Sequence, residues 1–580
     1  MNIRYIFITF AALFMALNVT KAQDLDPTVV VNKAYDGKLV QVHKPALEMA
    51  VPDSVTRFNL DFDYLVFEQP YKGADAFTPY ILNMKPASVI PDVSKLYLNA
   101  GAGYTLHPEL DFVWSPFTGK KYRMDFYAEH RSYLGDYRSF SPDWSNGGVM
   151  TFERMPDANG DYVYWNGYDL KSRVGVDARC ECSSLSATLD VSYYGLASKD
   201  LMKKRMYDAL DVRMNVSSKP KNTSHFKYDF LATYRFAEDK LDYVKFGKDY
   251  INEHLLDLYA VLGQVFSDEH QVLLDVKTDV AAYSKSAAGQ LTFVPHYVWT
   301  KGRWTLDAGV KIIAIIGAKD SLSMFGHQIQ VAYPDVKASY AVIPDAMRLY
   351  AALGGGSRLN TYASILEKNH HVDPLFAIGQ TGLMDITEER ISVSLGMEGR
   401  IGSIFSYNLR TGYSNYANAL FDAVTIDADK QYLPGIGYSA CQKYYAALDL
   451  RLVSESVCFD GGVDFVNVWG MNNANGLFAP AMLSGDVSFE YNWRKRIFAG
   501  VDCSFATARK GSVLDEVLEG NIIQAKIPGY ADLGVRFEYA FSRSFSAWLR
   551  GGNLLNMTVQ RNPLYAEKGT NLTVGICLNL

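Results

Sequence analysis

Two short segments carry residue types that bind metal ions. His370, His371 and Asp373 occur within four positions, and imidazole and carboxylate groups are ligands for zinc. On a regular strand, however, adjacent histidines point to opposite faces and cannot both bind one ion. Segment 157–161 (Asp-Ala-Asn-Gly-Asp) places two carboxylates and an amide around a glycine, but it lacks the distal glutamate of an EF-hand. We therefore expect a solvated loop at 370–373 and a hairpin tip at 157–161.

Motifs for catalysis are not found in the sequence. It has no HExxH, no GxSxG and no P-loop, and its glycine-rich stretches are not followed by a helical pattern. Six cysteines lack metal-type spacing and do not form a disulfide framework. They are Cys180, Cys182, Cys441, Cys458, Cys503 and Cys577. We therefore expect a protein that is not an enzyme and that uses no cofactor or metal.

Tyrosine is the most abundant aromatic residue, with 39 Tyr against 31 Phe and 8 Trp. An amphipathic ring suits a membrane interface or a sugar-binding surface better than a dry core. One group of aromatic residues lies in and beside a long polar segment, and these rings could contact a ligand or could belong to an interfacial girdle. The group consists of Trp144, Tyr162, Tyr164, Trp165 and Tyr168.

Composition and the N-terminus narrow the class of protein. The 580 residues include 57 Lys and Arg against 63 Asp and Glu, and 48% are hydrophobic, which excludes disorder and argues against a nucleic-acid partner. Arg4, the apolar stretch 5–19 and the small-residue site ending at Ala22 predict a signal peptide over residues 1–22. The alternative, an N-terminal membrane anchor, would need an apolar run of about 20 residues.

Period-two alternation recurs along the chain and predicts β-strands. Between Lys171 and Glu181 the odd positions are charged or glycine, whereas the even positions are mostly apolar. A soluble sandwich would also alternate, but many of these strands reach about ten residues or more, which matches a tilted strand that crosses a hydrocarbon layer. The polar faces carry charges of both signs, as expected for the lumen of a barrel.

The connections between these strands alternate between short and long. Long connections are expected at 135–161, 237–252, 358–387, 417–437 and 509–528. Short turns are expected at 182–184, 219–222, 267–270, 300–303, 343–345, 399–403, 454–456, 494–495 and 542–544. Short turns at one end and long loops at the other are typical of outer-membrane barrels.

Counting strands from Leu96–Tyr104 to Thr570–Leu580 gives about 22. Closure is required because lipid offers no hydrogen-bond partner to a sheet edge. We therefore predict an all-β fold, a transmembrane antiparallel β-barrel over residues 96–580. Residues 23–95 contain seven prolines among short strand-like pieces, which predicts an extended N-terminal segment that lies in the periplasm or threads the lumen.

Taken together with the sequences KLYLNAGAGY (95–104), NLLN (553–556) and QRNPLY (560–565), this barrel resembles the TonB-dependent-receptor-like barrels of Bacteroidota outer membranes. The resemblance implies energised uptake of a large or scarce ligand through a barrel that a globular plug fills. Residues 23–95 would be a reduced plug, since a plug of the family is about twice as long. The chain also ends at Leu580, where many such barrels end in an aromatic residue.

The stretch Asp26, Pro27, Thr28, Val29, Val30, Val31 resembles a TonB box, which would pair with TonB by strand addition. Any exposed strand with three valines would look the same.

Two functions follow as hypotheses. In the first, the barrel takes up a ligand across the outer membrane, with a periplasmic N-terminus and with TonB or a surface lipoprotein as partner. In the second, it is a structural scaffold that docks a lipoprotein or another barrel in an assembly or secretion complex. Both hypotheses place the barrel in outer-membrane lipid.

Overall fold

The computed structural model describes residues 95–580 except for short internal segments. The exceptions are residues 105, 120, 147–148, 155–158, 202, 220–223, 244–246, 284–285, 318–324, 373–383, 427–431, 473–475 and 516–520. The predicted signal peptide, the TonB-box-like stretch 26–31 and nearly all of the segment 23–95 lie outside the described residues, as do Asp157, Ala158 and Asp373.

Twenty-two antiparallel strands form a closed barrel wall, as predicted. In order around the wall they are β1 (Leu96–Gly103), β2 (Glu109–Thr118), β3 (Tyr122–Arg138), β6 (Tyr164–Glu181), β7 (Leu185–Lys199), β8 (Lys203–Ser218), β9 (His225–Tyr243), β10 (Gly247–Val265), β11 (His270–Tyr283), β12 (Ser286–Lys301), β13 (Trp304–Gly317), β14 (Ala332–Ile343), β15 (Met347–Leu359), β16 (Ile386–Ile401), β17 (Phe405–Ile426), β18 (Tyr432–Val453), β19 (Val457–Trp469), β21 (Leu483–Trp493), β22 (Ile497–Ala506), β25 (Tyr530–Ala540), β26 (Phe545–Gly552) and β27 (Asn571–Asn579). The first and last strands pair from Tyr97 with Asn579 to Gly103 with Thr573, so the wall has no free edge.

Side chains alternate between the two faces of the wall. In β6, Val174 is 52% exposed on the outer face, whereas Arg173 on the opposite face donates to Ser192 of β7. The Nε atom of Arg235 in β9 lies 2.6 Å from Oδ1 of Asp211 in the neighbouring strand β8. Apolar side chains therefore face outward, as the alternation predicts. Charged side chains of both signs line the lumen, and some of them form ion pairs.

Ten connections at one end of the barrel, called the short-turn end here, have six residues or fewer. They are 119–121, 182–184, 219–224, 266–269, 302–303, 344–346, 402–404, 454–456, 494–496 and 541–544. Each of the nine predicted short turns overlaps one of them, with bounds that differ by up to three residues, and the β2–β3 turn is the tenth. The opposite end, called the long-connection end, carries every connection longer than six residues.

The long loops predicted at 237–252 and 417–437 are wrong. The first is occupied by the continuing strands β9 and β10, and β17 and β18 each run for 22 residues through the second. These hairpins extend beyond the roughly 9–11 residues that a membrane crossing needs. In the extension the pattern inverts, since Ala237, Leu241 and Ile251 are buried on the inner face and polar residues face outward.

The other long connections contain elements of their own. Segment 135–161 holds the hairpin β4 (Phe140–Asn146) and β5 (Val149–Arg154), segment 509–528 holds β23 (Arg509–Asp515) and β24 (Asn521–Ile527), and β20 (Leu477–Phe478) lies between β19 and β21. β24 pairs with β5 in parallel, and β23 pairs with β20 and with the end of β17. The cluster that these strands bury contains Met150, Phe152, Val424, Ile426, Phe478, Val513, Ala525 and Ile527. Segment 358–387 holds the helix α1 (Tyr362–Lys368).

A tryptophan packs over glycines where the wall closes. Trp548 of β26 lies over Gly101 of β1 and Gly575 of β27, and a Cβ atom on Gly101 would lie 2.5 Å from the ring. The Trp548 indole Nε1 donates to Oδ1 of Asn99 at 2.6 Å. Only glycine permits this close approach, so three neighbouring strands depend on the two glycines.

None of the helices in the described part of the chain is long and apolar enough to cross a bilayer.

Candidate functional site: a cap across the long-connection end

Residues 360–372, called the cap segment here, lie inside the barrel. The segment leaves the wall between β15 and β16, the thirteenth and fourteenth strands counted from β1. Its His370 nevertheless places Nε2 at 2.8 Å from Oδ2 of Asp169 in β6, the fourth strand. Because β6 is nine strands away on a ring of 22, the cap segment must cross the lumen.

Wall residues hold the start of helix α1. Thr361 is the N-cap and its hydroxyl accepts from the Ser364 amide at 3.3 Å. Glu253 of β10 accepts from the Ala363 amide at 3.2 Å and from the Tyr283 hydroxyl at 2.6 Å. A carboxylate beside the first turn satisfies free amide groups and interacts favourably with the helix dipole.

Helix α1 buries an apolar face against the extended ends of the wall strands. Ile365 and Leu366 are buried on this face together with Tyr362 and Ala363. Burial of a side chain such as Ile365 contributes about 1.5–3 kcal/mol. The wall residues of the same cluster are Leu196, Tyr207, Ala209, Ala237, Ile251, Ala281, Ala288, Leu359 and Ile386. The apolar core of this part of the molecule therefore sits inside the barrel ring.

A fully buried ion pair of the wall is hydrogen-bonded to the cap segment. The Nε atom of Arg205 in β8 lies 3.0 Å from Oδ2 of Asp239 in β9, and neither side chain is exposed. Arg205 also donates to the carbonyl of Val372 at 2.7 Å and to that of His370, and the hydroxyl of Tyr362 donates to Asp239. Lys203 donates to the carbonyl of His371 at 2.7 Å. Arg205 and Asp239 compensate each other's charge, and the cap segment supplies the further hydrogen bonds that a buried ion pair needs.

The two histidines are not in a solvated loop, so that prediction is wrong. His370 is buried, and burial lowers its pKa although the Asp169 carboxylate opposes the shift. Burial also holds the pKa of His371 well below its usual range, with His370 as a second cause. His371 stacks on Tyr565 with ring centroids 3.6 Å apart, and the Tyr565 hydroxyl donates to Asp200 at 2.9 Å.

The C-terminal end of α1 forms an ion pair with strand β17 at the long-connection end of the barrel. Lys368 Nζ lies 3.3 Å from Oδ1 of Asp422 in β17. The other Asp422 oxygen accepts from Nη2 of Arg509 in β23 at 2.5 Å. The cap segment thus has charged contacts with β6 and β8, the fourth and sixth strands, and with β17, the fifteenth, which lies far from them around the wall.

The connection between β26 and β27 completes the cap. This segment, 553–570, contains two of the three sequences that carry the family resemblance. Arg138 of β3 donates to the Asn556 side chain at 2.5 Å and to the Met557 carbonyl at 3.1 Å. Gln560 donates to the carbonyl of Phe152 at 3.0 Å. The connection therefore folds into the barrel. It contacts the cap segment through Tyr565 and strand β5 through Gln560.

The predicted ligand-contact aromatics do not form one cluster. Trp165 stacks on Tyr137 of β3, with centroids 4.4 Å apart and planes at 11°, on the face that carries Asp169. Tyr162 and Tyr164 are half exposed near the start of β6. Tyr168 pairs with Leu134 within the wall, and Trp144 lies in β4. Their contact with a ligand stays a prediction.

Beneath the cap the lumen is lined by paired charges. His296 lies between two carboxylates, with Nδ1 at 2.8 Å from Asp307 and Nε2 at 3.3 Å from Asp275. Within the part of the chain that the structure describes, no group of three or more His, Cys, Asp or Glu residues could hold a metal ion.

Sequence reasoning missed Arg205, Asp239, Glu253 and Tyr362. Arg205 follows two lysines in the sequence and looks like part of a solvated strand end. The available signal was the inverted alternation of residues 237–251. Apolar residues on the inner face of a strand, beyond its membrane-spanning part, predict that another part of the protein packs against them inside the barrel.

Comparison with known proteins supports the fold. No protein-family model and no curated protein matches the sequence. Among solved structures, the chain is similar to the FrpB iron transporter from Neisseria meningitidis, with a TM-score of 0.62, 9% identity, and coverage of 84% of this chain and 81% of the other. The siderophore receptor PirA from Acinetobacter baumannii has a TM-score of 0.56 at 9% identity, with coverage of 84% and 80%. The copper transporter OprC has 0.58 at 10%, with coverage of 84% and 82%. At this identity the similarity carries the fold alone.

Proposed function

We propose that this protein is an outer-membrane uptake barrel that the cap opens and closes. The observation that carries the proposal is the cap segment, which crosses the lumen and is held by the buried pair of Arg205 and Asp239. A gate needs a closed state that specific contacts stabilise and that a ligand can replace. The similar structures bear the names of iron, siderophore and copper transporters, and a non-enzymatic role agrees with them.

In this proposal the short-turn end faces the periplasm and the cap faces the outside. Residues 23–95 would fill the lumen from the periplasmic end as a reduced plug, and the stretch 26–31 would pair with TonB. The ligand would first displace the cap segment, and the aromatic rings of Trp165 and Tyr137 at the mouth would then become accessible to it.

The gate is tested by single-channel conductance of the full chain in planar bilayers. Arg205→Gln removes the charge that binds Asp239 and two cap carbonyls, so we expect frequent open events that the wild type lacks. Arg213→Gln is the matched control, because it lies on the same strand and face but is exposed in the lumen. Equal conductance of the two variants, with both showing a heat-modifiable band on a gel, would refute the gate.

The scaffold hypothesis is the second candidate, and the extent of the cap favours it. Charged contacts on several sides and a buried apolar helix face resemble a permanent core. A pull-down from the native outer membrane, compared with a variant that lacks residues 26–32, distinguishes the two. Recovery of TonB or a surface lipoprotein that is lost in the variant supports uptake. Stoichiometric recovery of another barrel, unchanged in the variant, supports the scaffold.

A further inference from the structure

Neighbouring turns at the short-turn end form a continuous basic surface, called the basic sector here. Its six cationic side chains are all exposed: Lys95, Lys121, Arg494, Lys495, Arg496 and Arg543. They belong to the β21–β22 turn, the β25–β26 turn, the residue before β1 and the β2–β3 turn. Because β22 pairs with β25, and β26, β27, β1 and β2 pair in sequence, these turns follow one another along the rim.

Backbone hydrogen bonds fix the turns side by side. The amide of Ala540 donates to the Arg496 carbonyl at 2.8 Å, and that of Asn579 donates to Ser544 at 2.9 Å. The amide of Ser115 donates to the Lys95 carbonyl at 2.7 Å. The cationic side chains are therefore held along one arc of the rim.

The basic sector has no acidic side chain to neutralise it. In the described residues of turns 119–121, 494–496 and 541–544 there is no Asp or Glu, and no ion pair among the described residues includes any of the six cations. Glu181 borders the sector, since its amide donates to the Lys121 carbonyl at 2.7 Å, but its carboxylate is paired with Lys219. The remaining arc of the rim carries Asp268, Glu269, Asp345 and Glu455. Since the whole chain has a net charge of −6, the basic arc is a local feature.

The β21–β22 turn keeps its cations at a conformational cost. Arg494 and Lys495 have φ angles of 53° and 57°, and the amide of Arg496 donates to the Trp493 carbonyl at 3.1 Å. Two central residues with positive φ are typical of a type I′ turn, in which Asn-Gly is the preferred pair. Two other turns of this end place Gly302 and Gly402 at positive φ. Long cationic residues in strained positions point to a function for the charge.

Outward-facing aromatic residues indicate where the basic sector lies relative to the lipid bilayer. Trp493 and Phe541 are 49% and 62% exposed and immediately precede the cationic turns. The Arg494 guanidinium lies 5.3 Å from the centroid of the Trp493 ring. Exposed aromatic rings on a barrel mark the headgroup level of a bilayer. The cations just beyond them lie where lipid phosphates are.

We propose that the basic sector binds the phosphate headgroups of anionic phospholipids in the leaflet at the short-turn end. The proposal is independent of the uptake function. A lipid surface fits better than an acidic protein, because the cations form an arc beside an aromatic belt at headgroup depth. The bound lipids would fix the tilt and height of this side of the barrel.

The experiment measures thermal unfolding of the full chain in a neutral detergent with added phosphatidylglycerol or phosphatidylcholine, together with native mass spectrometry of retained lipid. The sector variant is Arg494→Asn, Lys495→Gly and Arg496→Gln, which preserves the turn. The matched control removes three exposed cations elsewhere on the rim, Lys301→Gln, Arg303→Gln and Arg400→Gln. We expect phosphatidylglycerol to bind the wild type and the control at least tenfold more tightly than phosphatidylcholine, and the sector variant to lose that preference. The preference should weaken as salt rises.

Three results would overturn the proposal. The first is a sector variant that retains the wild-type preference for phosphatidylglycerol. The second is equal stabilisation of the wild type by soluble glycerol phosphate at the same concentration, since that would indicate a site for free phosphate. The third is an acidic protein that co-purifies with the wild type and is lost from the sector variant while lipid retention stays unchanged.

Discussion

The Nε atom of Arg205 lies 3.0 Å from Oδ2 of Asp239, and both side chains are completely buried where the cap segment meets the wall. The two residues are neighbours on adjacent strands, but the groups that seal the pair from water come from residues 362–372. A buried charge that loses its partner costs several kcal/mol. The cap segment therefore completes the hydrogen bonding of the pair and shields it from water.

Arg205→Met leaves Asp239 buried without its cation, so we expect it to destabilise the closed cap by about 3–5 kcal/mol. Limited proteolysis within residues 360–372 measures this, because an open cap segment is cleaved faster. The double variant Arg205→Met with Asp239→Leu removes both charges and should recover much of the protection. If the single and double variants are cleaved equally fast, the ion pair is not what holds the cap. Arg213→Met serves as the control on the same strand.

Acid should open the cap. Burial lowers the pKa of His370 and His371 in the closed state, whereas exposure in an open state returns the pKa to about 6.5. The closed state thus binds fewer protons, so its stability is complete above about pH 6.5 and falls as the pH drops below that value. The groups facing the histidines are Asp169, Lys171, Lys203 and Arg205; only Asp169 opposes the shift.

Hydrogen exchange of residues 360–372 between pH 8 and pH 5, corrected for intrinsic rates, measures this effect. The wild type should lose protection towards pH 5, and the variant His370→Gln with His371→Gln should show a flat profile. His225→Gln at the opposite end of the barrel should behave as the wild type does. A wild-type profile without pH dependence would contradict the role of the two histidines.

The seam between β26, β27 and β1 depends on Trp548 and Gly101. In Gly101→Ala the new Cβ would lie 2.5 Å from the Trp548 ring, so we expect a loss of about 1–3 kcal/mol from overpacking. Gel samples are heated to a series of temperatures below boiling, and the temperature at which the fast-migrating band disappears measures this loss of stability. That temperature should be lower for the variant than for the wild type. The same change should cost less in a Trp548→Ala background. Gly435→Ala, which has open space around the new Cβ, should be neutral.

Much of the barrel could be predicted because its physics is local. In β6, the alternation of Arg173 and Asp177 with Val174 and Val176 follows directly from lipid on one side and water on the other. The same rule gave the strand count and the nine short turns. It failed at 237–252 because the rule reverses beyond the membrane, where the interior is apolar protein and the exterior is water.

The cap could not be predicted because its contacts are distant in sequence. Arg205 and Tyr362 are 157 residues apart, and nothing near either residue specifies the other. Tyr362 lies in a helix of seven residues, which is too short to be stable alone and forms because the wall buries it. His370 looked like a loop residue for the same reason, since its burial depends on β6 and β8.

The β21–β22 turn offers a test of whether charge is kept at the expense of stability. Arg494→Asn with Lys495→Gly places the preferred residues at two positions of positive φ, so we expect the barrel to gain about 1–2 kcal/mol in a zwitterionic detergent. The reciprocal control is Gly302→Ala, at a φ of 60°, which should lose about 1 kcal/mol. Apparent melting temperatures measure both. In anionic lipid the gain of the double variant should shrink or reverse, because the wild type then recovers its headgroup contacts. A double variant that is less stable than the wild type already in zwitterionic detergent would show that the two cations stabilise the turn through the protein itself, without lipid.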